Sequence, residues 1–116
     1  MILCCGEALI DMLPRQTVTG ENAFAPHAGG SVFNTAIALG RLGSKVQFFS
    51  GLSTDMFGDV LQEELKASKV DASPSAISDR PTTLAFVKLV DGHATYAFND
   101  ENTAGRMLTE ADLPKV

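Results

Sequence analysis

Two β-rich runs, residues 82–90 and 93–98, are separated by Asp91-Gly92 alone, and no other feature of this chain fixes so much structure with so few residues. Asp-Gly accepts the positive φ angles of a type I′ turn, the two-residue connection whose twist matches that of paired strands. Such a turn pairs Val90 with His93, Leu89 with Ala94, Val87 with Tyr96 and Ala85 with Phe98. Val87, Leu89, Tyr96 and Phe98 then share one face. The other face, with Lys88 and Thr95, is smaller and more polar, the pattern of an antiparallel flap wet on one side.

Upstream the pattern is different. Residues 2–5 form an apolar run ending at Gly6; residues 8–10 carry it on to Asp11, and Pro14 closes what reads as one buried strand. Residues 15–22 read as a polar turn around Gly20, and residues 23–26 as a short strand. Residues 31–42 have helical spacing, with Phe33, Ala36, Ile37 and Gly40 on one face, Leu39 and Leu42 widening it, and Gly43 stopping it. Residues 45–50 read as a strand, and Gly51 as a turn into a second helix capped by Thr54 or Asp55. That helix places Met56, Phe57, Val60, Leu61 and Leu65 inward, and Asp59, Gln62, Glu63 and Lys66 outward. Strand, helix, strand, helix predicts an α/β fold: a parallel sheet with flanking helices and right-handed connections, to which the hairpin adds an antiparallel part.

At 116 residues with 45% hydrophobic side chains the chain has the material for one domain with a core. A net charge of −5 provides no basic stripe, which argues against nucleic acid and anionic membranes as partners. No apolar run approaches the roughly 18 residues of a membrane span, and the first residues lack the features of a secretory signal, so a cytoplasmic location is expected. Cys4 and Cys5 are adjacent, where a mutual bridge would strain the backbone, and are expected to be buried reduced thiols. His27 and His93 form no ligand spacing, read as surface residues, and no metal is assigned to side chains of this chain.

Residues 28–34, Ala-Gly-Gly-Ser-Val-Phe-Asn, run directly into the first helix. Gly29 and Gly30 allow a tight turn and close approach to a ligand, the first helical turn offers free N–H groups, and Asn34 adds an amide one turn in. Neither the dinucleotide fingerprint nor the P-loop spacing is present. Asp11 with Asn34 pairs an acceptor with a group that both donates and accepts, which suits sugar hydroxyls. Each residue also has an ordinary reading: Asp11 as a turn residue, Asn34 as an exposed first-turn residue, the glycines as a loop, and Tyr96 and Phe98 as hairpin packing rather than a cover for a sugar. Asp59 reads as solvent-exposed.

Taken together, Gly6-Glu7-Ala8-Leu9-Ile10-Asp11, Gly29-Gly30-x-x-x-Asn34-x-Ala36, Gly40-x-x-Gly43 and Gly51-x-x-x-Asp55-x-x-Gly58 closely resemble the first signature of the ribokinase/PfkB sugar kinases. The likeness runs along the whole chain, through Arg80-Pro81-Thr82-Thr83 and Asn102-Thr103-Ala104, and is greatest to bacterial fructokinases. The resemblance implies a partial Rossmann-like ribokinase fold with a small antiparallel β lid, its strands at about residues 12–27 and 82–99 inserted in the α/β core. It further implies that Asp11, Gly29, Gly30 and Asn34 contact the sugar, that Tyr96 and Phe98 cover it, and that the lid makes a homodimer contact. The implied reaction is phosphoryl transfer from ATP with Mg2+ to fructose, giving fructose 6-phosphate. A kinase for 2-keto-3-deoxygluconate, ribose or a nucleoside is an alternative on the same scaffold, and a non-catalytic sugar-binding or dimerisation module is one of another class. The family's second signature, with its Gly-Ala-Gly-Asp anion hole and aspartate base, has no counterpart in these residues. The chain is therefore expected to be the amino-terminal part of such a kinase, inactive alone, with the catalytic base and the ATP site beyond Val116.

Overall fold

A computed structural model describes residues 1–115. Two parallel strand pairs form its α/β part: β1 (Ile2–Cys5) beside β4 (Val46–Phe49), and β5 (Gly51–Ser53) beside β6 (Ala76–Ser78). Helices α1 (Ser31–Arg41) and α2 (Met56–Ala67) flank them. The remaining strands, β2 (Leu9–Gln16), β3 (Asn22–Gly29), β7 (Leu84–Val90) and β8 (His93–Asn99), make one four-stranded sheet in the order β3-β2-β7-β8.

The strand, helix, strand, helix order holds, and so does the hairpin. Residues 84–99 pair in the register that a two-residue turn requires, from Leu84 opposite Asn99 to Val90 opposite His93. Asp91 and Gly92 both have positive φ, 50° and 79°.

Four details differ from the sequence reading. The apolar run at the start is two strands in two sheets, because the chain turns at Gly6 and enters the four-stranded sheet at Leu9. Asp11 is thereby the third residue of an eight-residue strand and no turn residue. Arg15 and Gln16 belong to β2, which Pro14 does not close, and the turn to β3 is residues 17–21, fastened by the Thr17 N–H on the Glu21 carbonyl at 2.9 Å. Gly51 starts a short strand rather than a turn.

The position of Pro14 has a physical reason. Ile10 donates its N–H to the Thr83 carbonyl on the β7 side at 3.0 Å, and residues 12 and 14 point their nitrogens the same way. Pairing with β7 stops at Met12, so the proline stands where no ladder donor is needed.

The core lies between the parallel strands and the two helices. Phe33 and Phe48 meet edge to face at 5.8 Å, with Ile10, Leu52, Leu61 and Leu65 fully buried around them. Met56 and Val60, read as inward, instead face solvent at 73% and 38% exposure, and Leu42 is exposed as the C-cap of α1. A twelve-residue helix with a narrow buried face, Gly58, Leu61 and Leu65, covers so short a sheet. Cys4 is buried but Cys5 is exposed, since successive strand residues point to opposite faces. Burial, and then the neighbouring Cys5, push the Cys4 thiol pKa up.

Candidate functional site

The four-stranded sheet aligns two of the residues that the sequence singled out, Asp11 and Phe98. His27 of β3 pairs with Asp11 of β2, Asp11 with Ala85 of β7, and Ala85 with Phe98 of β8. Directly paired residues share a face, so one row across the sheet reads His27, Asp11, Ala85, Phe98. Ala85, the residue between the carboxylate and the ring in this row, is small and buried. Tyr96, two residues before Phe98, lies on the same face and its ring stacks on that of Phe98 at 6.0 Å and 18°.

On the hairpin the expected apolar face is mostly uncovered. Val87 is buried, but Leu89, Tyr96 and Phe98 are 62%, 55% and 56% exposed. The opposite face is less polar than its sequence reads, because Phe86 meets Phe24 edge to face at 5.2 Å.

Gly29 ends β3 directly against the Asp11 carboxylate, which occupies the space a Cβ would take. Gly30 follows as the N-cap of α1 with φ 111°, and a Cβ there would stand 2.5 Å from the Glu7 carbonyl oxygen. Only glycine meets both the conformation and the clearance. The first helical bond is from the Asn34 N–H to the Gly30 carbonyl at 2.8 Å. No side chain caps this helix, so the N–H groups of Ser31, Val32 and Phe33 have no acceptor within the helix. Asn34 is exposed one turn in, with Thr35 bonded back to the Ser31 carbonyl beside it.

The arrangement offers a carboxylate acceptor, a cluster of free backbone donors, an amide and an exposed pair of aromatic faces, the mixture that a polyhydroxyl ligand uses. Asp11 and Gly29 are in contact, Gly30 and Asn34 follow along the chain, and Tyr96 and Phe98 stand two strands from Asp11 on the shared face.

His27 is the residue that sequence reasoning passed over. Its neighbour relation to Asp11 follows only from the β2–β3 register, and that register is hidden when Arg15 and Asn22 are read as loop.

A cleft of about 960 Å³ is centred away from Asp11 and shares only Tyr96 with the candidate site residues. It opens between the ends of the two hairpins, beyond Met12 where the pairing of β2 with β7 stops, and Phe24, Phe86, Arg15, Lys88 and Tyr96 are among the residues that line it. Among the described residues no group of three His, Cys, Asp or Glu side chains stands close enough to hold a metal, and no helix is long and apolar enough to cross a membrane.

The pattern of the pfkB family carbohydrate kinases matches residues 1–115. A fructokinase of Rhizobium leguminosarum bv. trifolii is 70% identical over 114 residues, 98% of this chain and 35% of that protein. Fructokinase-2 of Solanum lycopersicum is 38% identical across 97% of the chain and 36% of its own length. Among solved structures, the fructokinase from Xylella fastidiosa superposes with a TM-score of 0.89 at 36% identity, over 97% of this chain and 37% of that one, and its form with bound ATP does so at 0.88. The chain thus spans just over a third of the proteins it matches, and its mixed sheets and flanking helices are part of a ribokinase fold. With the motifs, the fold and these likenesses in agreement, the chain belongs to the pfkB family of carbohydrate kinases.

Proposed function

We propose that this chain is the sugar-binding part of a fructokinase, a kinase that converts fructose and MgATP to fructose 6-phosphate. The observation that carries the reading is the row in which Asp11 and Phe98 flank Ala85 on one face of the sheet, with Gly29 against the Asp11 carboxylate. Asp11 accepts from sugar hydroxyls, Gly29 and Gly30 give the ring room, the free N–H groups and Asn34 complete the polar contacts, and Tyr96 and Phe98 close over the apolar side of the ring. In this reading the four-stranded sheet is the lid. The similarity to proteins named fructokinase supports fructose as the sugar.

In this reading ATP and Mg2+ bind to parts of the kinase other than these residues. No phosphate-cradling glycine motif is present, and the described residues bring no carboxylates together that suit a metal. Phosphoryl transfer rests on positioning and charge stabilisation, so a chain with the sugar contacts alone is inactive. In this reading the protein works in the cytoplasm, and the exposed Phe24, Leu89 and Val90 of the lid support a homodimer through that sheet.

An acid sugar is the second reading. Arg106, which follows the lid in sequence, pairs with Asp100 at 2.8 Å, which favours a neutral sugar over an acid one.

The test is a nuclear magnetic resonance titration of the chain with fructose and with 2-keto-3-deoxygluconate. Shifts at Asp11, Gly29, Gly30, Asn34 and the rings of Tyr96 and Phe98 with fructose are expected. Shifts confined to Phe24, Phe86, Lys88 and their neighbours in the cleft between the hairpins, without Asp11, Gly29, Gly30 or Asn34, or turnover of ATP by the chain alone, would reject this assignment of roles.

A further inference from the structure

Asp55 stands at a junction that the sugar contacts do not use. As the N-cap of α2 it accepts the Gly58 N–H on Oδ1 at 2.8 Å. The same oxygen accepts the Thr82 hydroxyl at 2.6 Å, and Oδ2 accepts the Thr82 N–H at 2.9 Å. A helix cap requires one acceptor, and this carboxylate serves three donors. Two of the three come from the segment that leads into β7.

The next residues carry the connection onward. Thr83 is buried; its carbonyl accepts the Ile10 N–H, and its hydroxyl bonds to that of Thr103 at 2.7 Å, where the chain has left β8. The Ala104 N–H donates to the Pro81 carbonyl at 2.9 Å. Both legs of the hairpin are thus joined at their base, and the joint is fixed to β2 one residue before Asp11 and to α2 through Asp55.

We propose that Asp55 is a positioning residue that holds the base of the β7–β8 hairpin against β2, and so sets the placement of Phe98 relative to Asp11. Its functional meaning rests on the sugar-site reading. The geometry calls for a carboxylate. An asparagine keeps one oxygen for Gly58 and the Thr82 hydroxyl, but turns an amide N–H toward the Thr82 N–H, donor against donor. Asp55→Asn therefore retains the cap and cuts one of the two bonds of the tether, that from the Thr82 N–H. Thr82→Val removes only the hydroxyl donor and is the milder variant.

The experiment is amide hydrogen exchange on the 116-residue chain and both variants, with a fructose titration of each. In Asp55→Asn the Ile10 amide exchanges about tenfold faster, as loss of one charge-assisted bond in a local opening predicts. Thr82→Val gives a smaller change in the same place and carries the test if Asp55→Asn does not fold. The Phe48 amide, bonded to the Asp71 carbonyl in the α/β part, is unchanged. Ring resonances of Tyr96 and Phe98 shift, and fructose affinity falls although neither altered side chain is on the row. Equal acceleration at Ile10 and Phe48 would mean a general loss of stability, and acceleration confined to the first turn of α2 would mean a cap alone; either overturns the proposal. Failure of the unaltered chain to bind fructose would reject the sugar reading, while the exchange pattern would still decide whether Asp55 anchors the hairpin.

Discussion

Asp11 and Phe98 both pair with Ala85, one from β2 and the other from β8, so a carboxylate and an aromatic ring 87 positions apart in sequence stand on one face with a single small residue between them. Two strand spacings put their backbones roughly 10 Å apart, a gap that a six-carbon sugar spans. Asp11→Asn keeps the volume and exchanges an acceptor for a donor, and is expected to weaken fructose binding about tenfold or more, the cost of one charged hydrogen bond. Phe98→Ala removes a ring that is already more than half exposed, so it should weaken binding with little change in stability. Calorimetric titration with fructose, alongside thermal unfolding, checks both; unchanged affinity in the two variants would remove the row from the binding site.

Gly30→Ala tests the backbone at the helix start. Its φ of 111° and the Glu7 carbonyl oxygen both oppose a side chain. Strain of this kind costs about 1–3 kcal/mol, so the urea midpoint should fall clearly. An unaltered midpoint would show that the turn relaxes freely.

Much of this fold is legible in local chemistry. Asp91-Gly92 specifies its own turn and with it the hairpin register, and the spacing of Phe33, Ala36 and Gly40 identifies the buried face of α1. The parts that escape a sequence reading depend on partners distant in the chain. Residues 2–11 look like one strand because both halves are apolar, and only the partners, β4 for the first half and β3 with β7 for the second, separate them. The site shows the same division. Gly29, Gly30 and Asn34 are visible as a local motif, whereas the row through His27, Asp11, Ala85 and Phe98 exists only once two hairpins align.

The inward set assigned to α2 divides in two, and stability measurements should follow the division. Leu61 is 1% exposed within the core, so Leu61→Ala is expected to cost about 2–5 kcal/mol, enough to threaten folding of a small domain. Met56, at 73% exposure, should change stability by no more than about 0.5 kcal/mol when replaced by alanine. Comparable losses at both sites in urea unfolding would contradict the burial described for this helix.

Asp55 should also make stability depend on acidity. Burial raises its carboxyl pKa, but the hydrogen bonds from Thr82, from Gly58 and with Ser53 together outweigh this and leave it below the ordinary value. A carboxylate with a depressed folded-state pKa binds fewer protons folded than unfolded, so its contribution is fully present above the unfolded value of about 3.9 and is lost as the pH falls through the lower, folded value. Asp71 is lowered in the same direction, by the Gln47 side chain first and then by Ser73, but that residue is common to parent and variant and cancels in their difference. The stability gap between the parent chain and Asp55→Asn should therefore be constant from neutral pH down to about 4 and should shrink below it. Urea unfolding of both proteins from pH 6 to about pH 2.5 measures the gap. A gap that stays constant across that range would show that the Thr82 and Gly58 bonds do not depend on the charge of Asp55.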